Sequence, residues 1–210
     1  MAIEVNKVYF RIGSKDILKD ITLAISDPTI ILGSNGAGKT SLLRLIAGLI
    51  SPSSGEIKID NKIPASRKDW AASIVYQPQS LEIVFPIKVY DLLKLSGFCK
   101  GSTENFDEIV QLLCLEELLC QDARTLSGGE LRRVMLAGAL IQGARYVLFD
   151  EPTAFLDPFQ EEIFVKSLLH LGDRVVPVIT THNLSLANRL GAKTLKLKKG
   201  GLYDGDALYE

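Results

Sequence analysis

One octapeptide, Gly33-Ser34-Asn35-Gly36-Ala37-Gly38-Lys39-Thr40, restricts this chain more than any other stretch. It follows the short apolar run Thr29-Ile30-Ile31-Leu32 and precedes Ser41 to Gly48, where Leu42, Leu43, Leu45 and Ile46 fall at helical spacing. A strand, a glycine loop and a helix in that order match G-x-x-x-x-G-K-[ST] in the context the motif requires. Glycines let the backbone curl so that its N–H groups converge on an anion, and the helix start adds its positive end. Lys39 is placed to reach the β- and γ-phosphates of a nucleotide, and the Thr40 hydroxyl to ligate Mg²⁺. The loop is expected to be exposed, so that losing the Lys39 side chain costs binding and leaves folding largely intact.

A magnesium ion shared with phosphates needs another protein oxygen. Tyr146-Val147-Leu148-Phe149 is an apolar strand that ends in Asp150-Glu151. Asp150 lies at the carboxyl end, where ligands bind in parallel sheets. Glu151 projects to the other side, which suits a carboxylate that polarises an attacking water. Taken alone, the pair reads equally well as an acidic turn. Leu126-Ser127-Gly128-Gly129-Glu130-Leu131-Arg132-Arg133 contains Ser127 and Glu130 at capping-box spacing. Capping leaves Gly128-Gly129 unexplained; they open the backbone and expose a second helix start to an anion. Two such starts serve one nucleotide if they come from different subunits.

The rest of the chain supplies the frame. Strand-like alternation marks Ile3 to Ile25, a stretch between about Trp70 and Tyr76, Val175 to Thr180 and Thr194 to Leu197. Helical patterns mark Val89 to Leu95, Phe106 to Leu119 and Pro158 to Leu171, and Ser51 to Gly55 reads as a turn. Alternating strands and helices predict a largely parallel sheet in an α/β fold, one domain over 1–210 with a helical sub-lobe at about 80–140. With 47% hydrophobic residues in 210, a core needs no staples. A net charge of -1 gives no bulk attraction to nucleic acid or acidic lipid. The Met1-Ala2-Ile3-Glu4 start has no signal-peptide pattern and no apolar run reaches membrane-spanning length, so a cytosolic chain is expected. Cys99, Cys114 and Cys120 have neither zinc nor disulfide spacing and read as structural thiols.

Taken together, Gly33 to Thr40, Leu126 to Glu130 and Phe149-Asp150-Glu151-Pro152-Thr153 resemble, in order, the Walker A, signature and Walker B motifs of the ABC (ATP-binding cassette) ATPases. Ala154-Phe155-Leu156-Asp157 resembles their D-loop and Thr180-Thr181-His182 their switch-histidine loop. Tyr76-Gln77-Pro78-Gln79 resembles the Q-loop; its spacing selects Gln79, with Gln77 as the lesser choice. The resemblance implies a P-loop NTPase core with a mostly parallel sheet, an N-terminal antiparallel β-subdomain and a helical sub-lobe. It implies nucleotide contacts from Gly33, Ser34, Asn35, Gly36, Ala37, Gly38, Lys39, Thr40 and Ser41, and from Gln79, Ser127, Gly128, Gly129 and Asp157. Thr40, Gln79 and Asp150 would hold Mg²⁺, while Glu151, His182 and Lys39 would act in ATP hydrolysis.

The implied activity is ATP hydrolysis that drives transport, at the inner face of the cell membrane. Partners would be a second ABC ATPase subunit, in a homodimer or heterodimer, and integral membrane subunits, without direct nucleic acid. Phe85-Pro86-Ile87-Lys88-Val89-Tyr90-Asp91 is similar to the segment after the Q-loop in importers of metal chelates and cobalamin-type cofactors. The alternative is a soluble ABC ATPase of DNA repair, translation or iron–sulfur assembly. Three positions depart from the family pattern. Ser34 replaces a common proline, Gly138 stands where an arginine is usual, and Ile12 falls near the aromatic residue that stacks on adenine, with Tyr9 and Phe10 nearby.

Overall fold

The computed structural model describes residues 1–79, 82–98, 105–154 and 156–204; Cys99 and Phe155 lie outside the described residues. A three-stranded antiparallel sheet is built from β1 (Ile3–Ile12), β2 (Lys15–Ile25) and β4 (Ser54–Ile59), in the order β2-β1-β4. The second sheet contains β3 (Thr29–Leu32), β5 (Ile74–Gln77), β6 (Tyr146–Asp150), β7 (Val176–Thr181), β8 (Lys193–Lys198) and β9 (Gly201–Asp204). Its order is β5-β6-β7-β3-β8-β9, parallel throughout except for β9. This is the expected combination of a mostly parallel sheet with a separate N-terminal antiparallel one.

All residues of β3, β6 and β7 are buried, as expected of strands covered on both faces. Period-two alternation sends neighbours to different cores. Ile30, Val147, Phe149 and Ile179 join one apolar cluster with the helices after β5. Ile31, Leu148, Val178 and Tyr146 join another with α1 (Lys39–Ile46) and the antiparallel sheet. Each large side chain so buried contributes about 1.5–3 kcal/mol of transfer free energy.

The helices between β5 and β6 are α3 (Val89–Phe98), α4 (Phe106–Leu112) and α5 (Gly128–Ile141), with α6 (Pro158–Leu171) and α7 (Ser185–Leu190) following later. Gly138 has a steric reason. A Cβ there would stand 2.9 Å from Ser96 Oγ, so its absence lets α5 lie close against α3.

Several elements differ from expectation. Trp70 belongs to a helix, α2 (Arg67–Ser73), and only Ile74 onward is strand. The reason is a capping box: Ser66 Oγ accepts from Asp69 N, and the Asp69 side chain accepts from Ser66 N. The pattern at Phe106 to Leu119 breaks after Leu112, because Cys114 takes a left-handed conformation, φ 52°, before a single 3-10 turn at Glu116–Leu118. The expected turn is shorter than read, since Ser54 and Gly55 already belong to β4. Cys114 and Cys120 are free and exposed, so neither thiol builds a core.

Candidate functional site

The octapeptide connects β3 to α1. Gly38 stands at the helix N-cap with φ 105°, a conformation that costs glycine little, and no side chain caps the helix. The first N–H groups of α1 are thus kept for an anion. Around the loop lies a cleft of about 460 Å³. Ser34, Asn35, Gly36, Gly38, Lys39, Thr40 and Ser41 line it from the loop and α1, Gln79 from beyond β5, and Asp150 and Glu151 from the end of β6.

Lys39 is buried, 6% exposed, contrary to the expectation of an exposed loop residue. Its Nζ donates to the Gly33 carbonyl at 2.5 Å and lies 3.0 Å from Glu151 Oε1. Glu151 Oε2 is 3.3 Å from His182 Nδ1, whose side chain is 74% exposed. Both Glu151 oxygens are buried and have ion-pair distances but no hydrogen bond of ordinary geometry. This carboxylate therefore retains acceptor capacity toward a water. Its backbone is held in place as well: Glu151 takes φ 48° and its N–H donates to the Thr180 carbonyl and Thr180 Oγ1, both at 3.1 Å.

Asp150 has different partners. Thr180 Oγ1 donates to Asp150 Oδ1 at 2.7 Å and the Tyr76 hydroxyl to Oδ2 at 3.2 Å. Burial pushes the Tyr76 phenol above its ordinary pKa, against the lowering pull of Arg44. A carboxylate offers about four lone-pair directions, so two donors leave Asp150 room for a cation. Thr40, Gln79 and Asp150 contribute a hydroxyl, an amide and a carboxylate to one cleft, an oxygen donor set that fits Mg²⁺ and leaves its other positions to phosphate and water. Among the described residues no cluster of three or more His, Cys, Asp or Glu suggests another metal.

The other predicted residues lie elsewhere. Gly33 and Ala37 belong to the loop without lining the cleft, and Ser127, Gly128, Gly129 and Asp157 do not line it either. Ser127 caps α5 through the anticipated box: its Oγ accepts from Glu130 N, and its N–H donates to Glu130 Oε2 at 2.8 Å. The Ser127 hydroxyl bond, followed by its backbone bond, holds the Glu130 carboxyl below its usual pKa. Gly128 is exposed, with open space where a side chain would stand. Asp157 is the N-cap of α6, accepting from Gln160 N at 2.8 Å ahead of Pro158.

Gln79, not Gln77, faces the phosphate cleft. From the antiparallel sheet Lys15 and Ile17 line the cleft, whereas Tyr9 pairs with Ser54 and Phe10 packs on that sheet's core. Sequence reasoning missed Thr180 and Tyr76 as holders of Asp150, and Lys15 and Ile17 as cleft walls. Thr180 and Tyr76 belong to motifs already noted, but their hold on Asp150 comes from the register of β5, β6 and β7; Lys15 and Ile17 lie on β2 outside any of those motifs.

A family model described as "ABC transporter" matches residues 18–154. The chain is 33% identical over 222 residues to the hemin import ATP-binding protein HmuV of Methylobacillus flagellatus, covering 95% of this chain and 81% of that protein. It is 33% identical over 207 residues to the zinc import ATP-binding protein ZnuC of Halorhodospira halophila, covering 94% and 74%. Its fold is similar to a dimeric structure of MJ0796, a bacterial ABC transporter cassette, with a TM-score of 0.82 and 25% identity over 96% of this chain and 98% of that one.

Proposed function

Because this chain belongs to the ABC transporter family, whose ATP-binding subunits are ATPases, we propose that it powers import across a membrane by binding ATP between two cassettes. One observation carries the reading. The loop, the metal-competent oxygens and Glu151 share one cleft, while an exposed second helix start at Ser127 and Gly128 lies outside it. A second cassette, identical or related, would bring its own Ser127, Gly128, Gly129 and Asp157 to that cleft's γ-phosphate. The chain from 1–210 then acts as one nucleotide-binding domain with a helical sub-lobe at about 80–140. Integral membrane subunits are the expected partners and would hold it at the cytoplasmic face. The import of hemin and zinc named for its relatives favours a metal chelate or cofactor as cargo.

In this mechanism the backbone from Gly33 to Ser41 binds the phosphates, and Lys39 exchanges the Glu151 carboxylate for a γ-phosphate oxygen. Thr40, Asp150 and Gln79 would hold Mg²⁺, which when bound would neutralise phosphate charge. Glu151, released from Lys39, accepts a proton from the attacking water, and His182 orients that carboxylate from its other oxygen. Separating the copies after hydrolysis resets the sandwich.

Glu151→Gln tests the proposal. The amide cannot take the proton, so turnover should fall roughly a hundredfold or more while ATP binding persists. The variant should accumulate as an ATP-bound dimer in light scattering and revert to monomer with ADP. Undiminished turnover would overturn the role of Glu151, and an ATP-saturated monomer at high concentration would overturn the two-copy sandwich.

A further inference from the structure

Gln77 and Arg133 each leave one buried polar atom unused. Gln77 Oε1, an acceptor, and Arg133 Nε, a donor, are buried without a hydrogen-bond partner. Such atoms are uncommon, since a group stripped of water and left unpaired is costly. Both residues line the same small void, together with Gln160. It leaves about 10 Å³ for the centre of a water-sized sphere, which suits a single water molecule. The Gln160 amide is nearby as a further polar neighbour, standing 2.2 Å from where a side chain on Gly129 would begin.

We propose that one ordered water joins Gln77 Oε1 to Arg133 Nε, making these two the positioning residues that fix the signature helix α5 against the end of β5. Arg133 donates to the water and the water donates to Gln77, so both orphaned atoms are satisfied. The same guanidinium reaches the other way, where Nη1 donates to the Leu113 and Cys114 carbonyls at 3.1 Å each. Arg133 thus ties the end of α4 and the end of β5 to one point on α5. Gln77 lies two residues before Gln79, which lines the phosphate-loop cleft, and Ser127 caps the start of α5. The joint therefore links the loop that senses a chain's own nucleotide to the helix start that serves the other copy's nucleotide. That consequence rests on the two-copy reading; the bridge itself does not.

The test uses the full chain carrying Glu151→Gln. Adding Gln77→Leu removes the acceptor and should weaken ATP-induced dimerisation tenfold or more, with the monomer's ATP affinity changed by less than twofold. Gln77→Glu keeps an acceptor and should restore dimerisation to within about threefold. Equal dimerisation by Gln77→Leu and its parent would overturn the positioning role. Failure of the parent to dimerise would count against the two-copy reading alone, and the bridge is then judged without it. Gln77→Leu and Arg133→Lys should be non-additive in denaturant midpoint, because either change alone breaks the bridge; additive losses would overturn it. A high-resolution crystal structure of the unmodified chain should show a water within hydrogen-bond distance of both atoms, and clear density without one would overturn the bridge whether or not either variant folds.

Discussion

Lys39 has two anions to choose between. A triphosphate entering the cleft competes with Glu151 for an ammonium that is 7% exposed in its side chain. Breaking a buried pair by deleting one partner leaves the other charge uncompensated. Lys39→Ala should therefore do more than abolish ATP binding. It should destabilise the fold by about 3 kcal/mol or more, roughly 6 °C or more in Tm for a domain of this size. Adding Glu151→Gln should recover much of that loss while binding stays absent. A thermal melt of the two variants beside the parent checks this, and an unchanged Tm for Lys39→Ala would refute the pairing. The sequence makes Lys39, Thr40, Asp150 and Glu151 legible because each sits inside a motif. It hides the Lys39–Glu151 contact, which joins the start of α1 to the end of β6, and the grip of Thr180 and Tyr76 on Asp150, which arises where three strands come into register: Asp150 opposite Thr180, and Tyr76 opposite Leu148.

At the level of elements, α4 is tied to the end of α6 by charge. Arg174 donates to both Glu108 oxygens, at 2.6 and 2.9 Å, and His170 Nε2 lies 3.1 Å from one of them. The Arg174 hydrogen bonds, helped by His170, hold the Glu108 carboxyl at about 2, below its ordinary 4.5. A depressed carboxylate contributes its stability above the unfolded value and loses it as pH falls toward the folded one. The loss here falls between about pH 4.5 and pH 2. Glu108→Gln should flatten the fall of Tm over that window and change its slope little above pH 5; parallel profiles for the two proteins would refute the tie. Partial exposure of the pair keeps its energetic weight modest. The same scale explains two misreadings. Apolar spacing alone favoured a strand through Trp70 and a long helix through Leu119, but a Ser66 cap and a left-handed Cys114 decide those boundaries.

Across the whole molecule, the strand that carries the phosphate loop has distant partners. β3 pairs with β7 and β8: Thr29 lies opposite both Val178 and Lys193. The loop's support is therefore made more than 140 residues after the loop's own strand. A ribosome that has released residues 1–170 has exposed the loop, the signature and both acidic residues without either flanking strand of β3. Long-range parallel pairing of this kind is slow to form and leaves apolar strands uncovered meanwhile. A chain ended after residue 192 should thus be protease-sensitive and bind no nucleotide, although it contains every phosphate-contacting motif. Nucleotide binding by that truncated chain would show that β3 can shape the loop without β8. For synthesis in a cell, a nascent chain is expected to capture nucleotide only after β7 and β8 have emerged, a delay set by the order of the strands that flank β3.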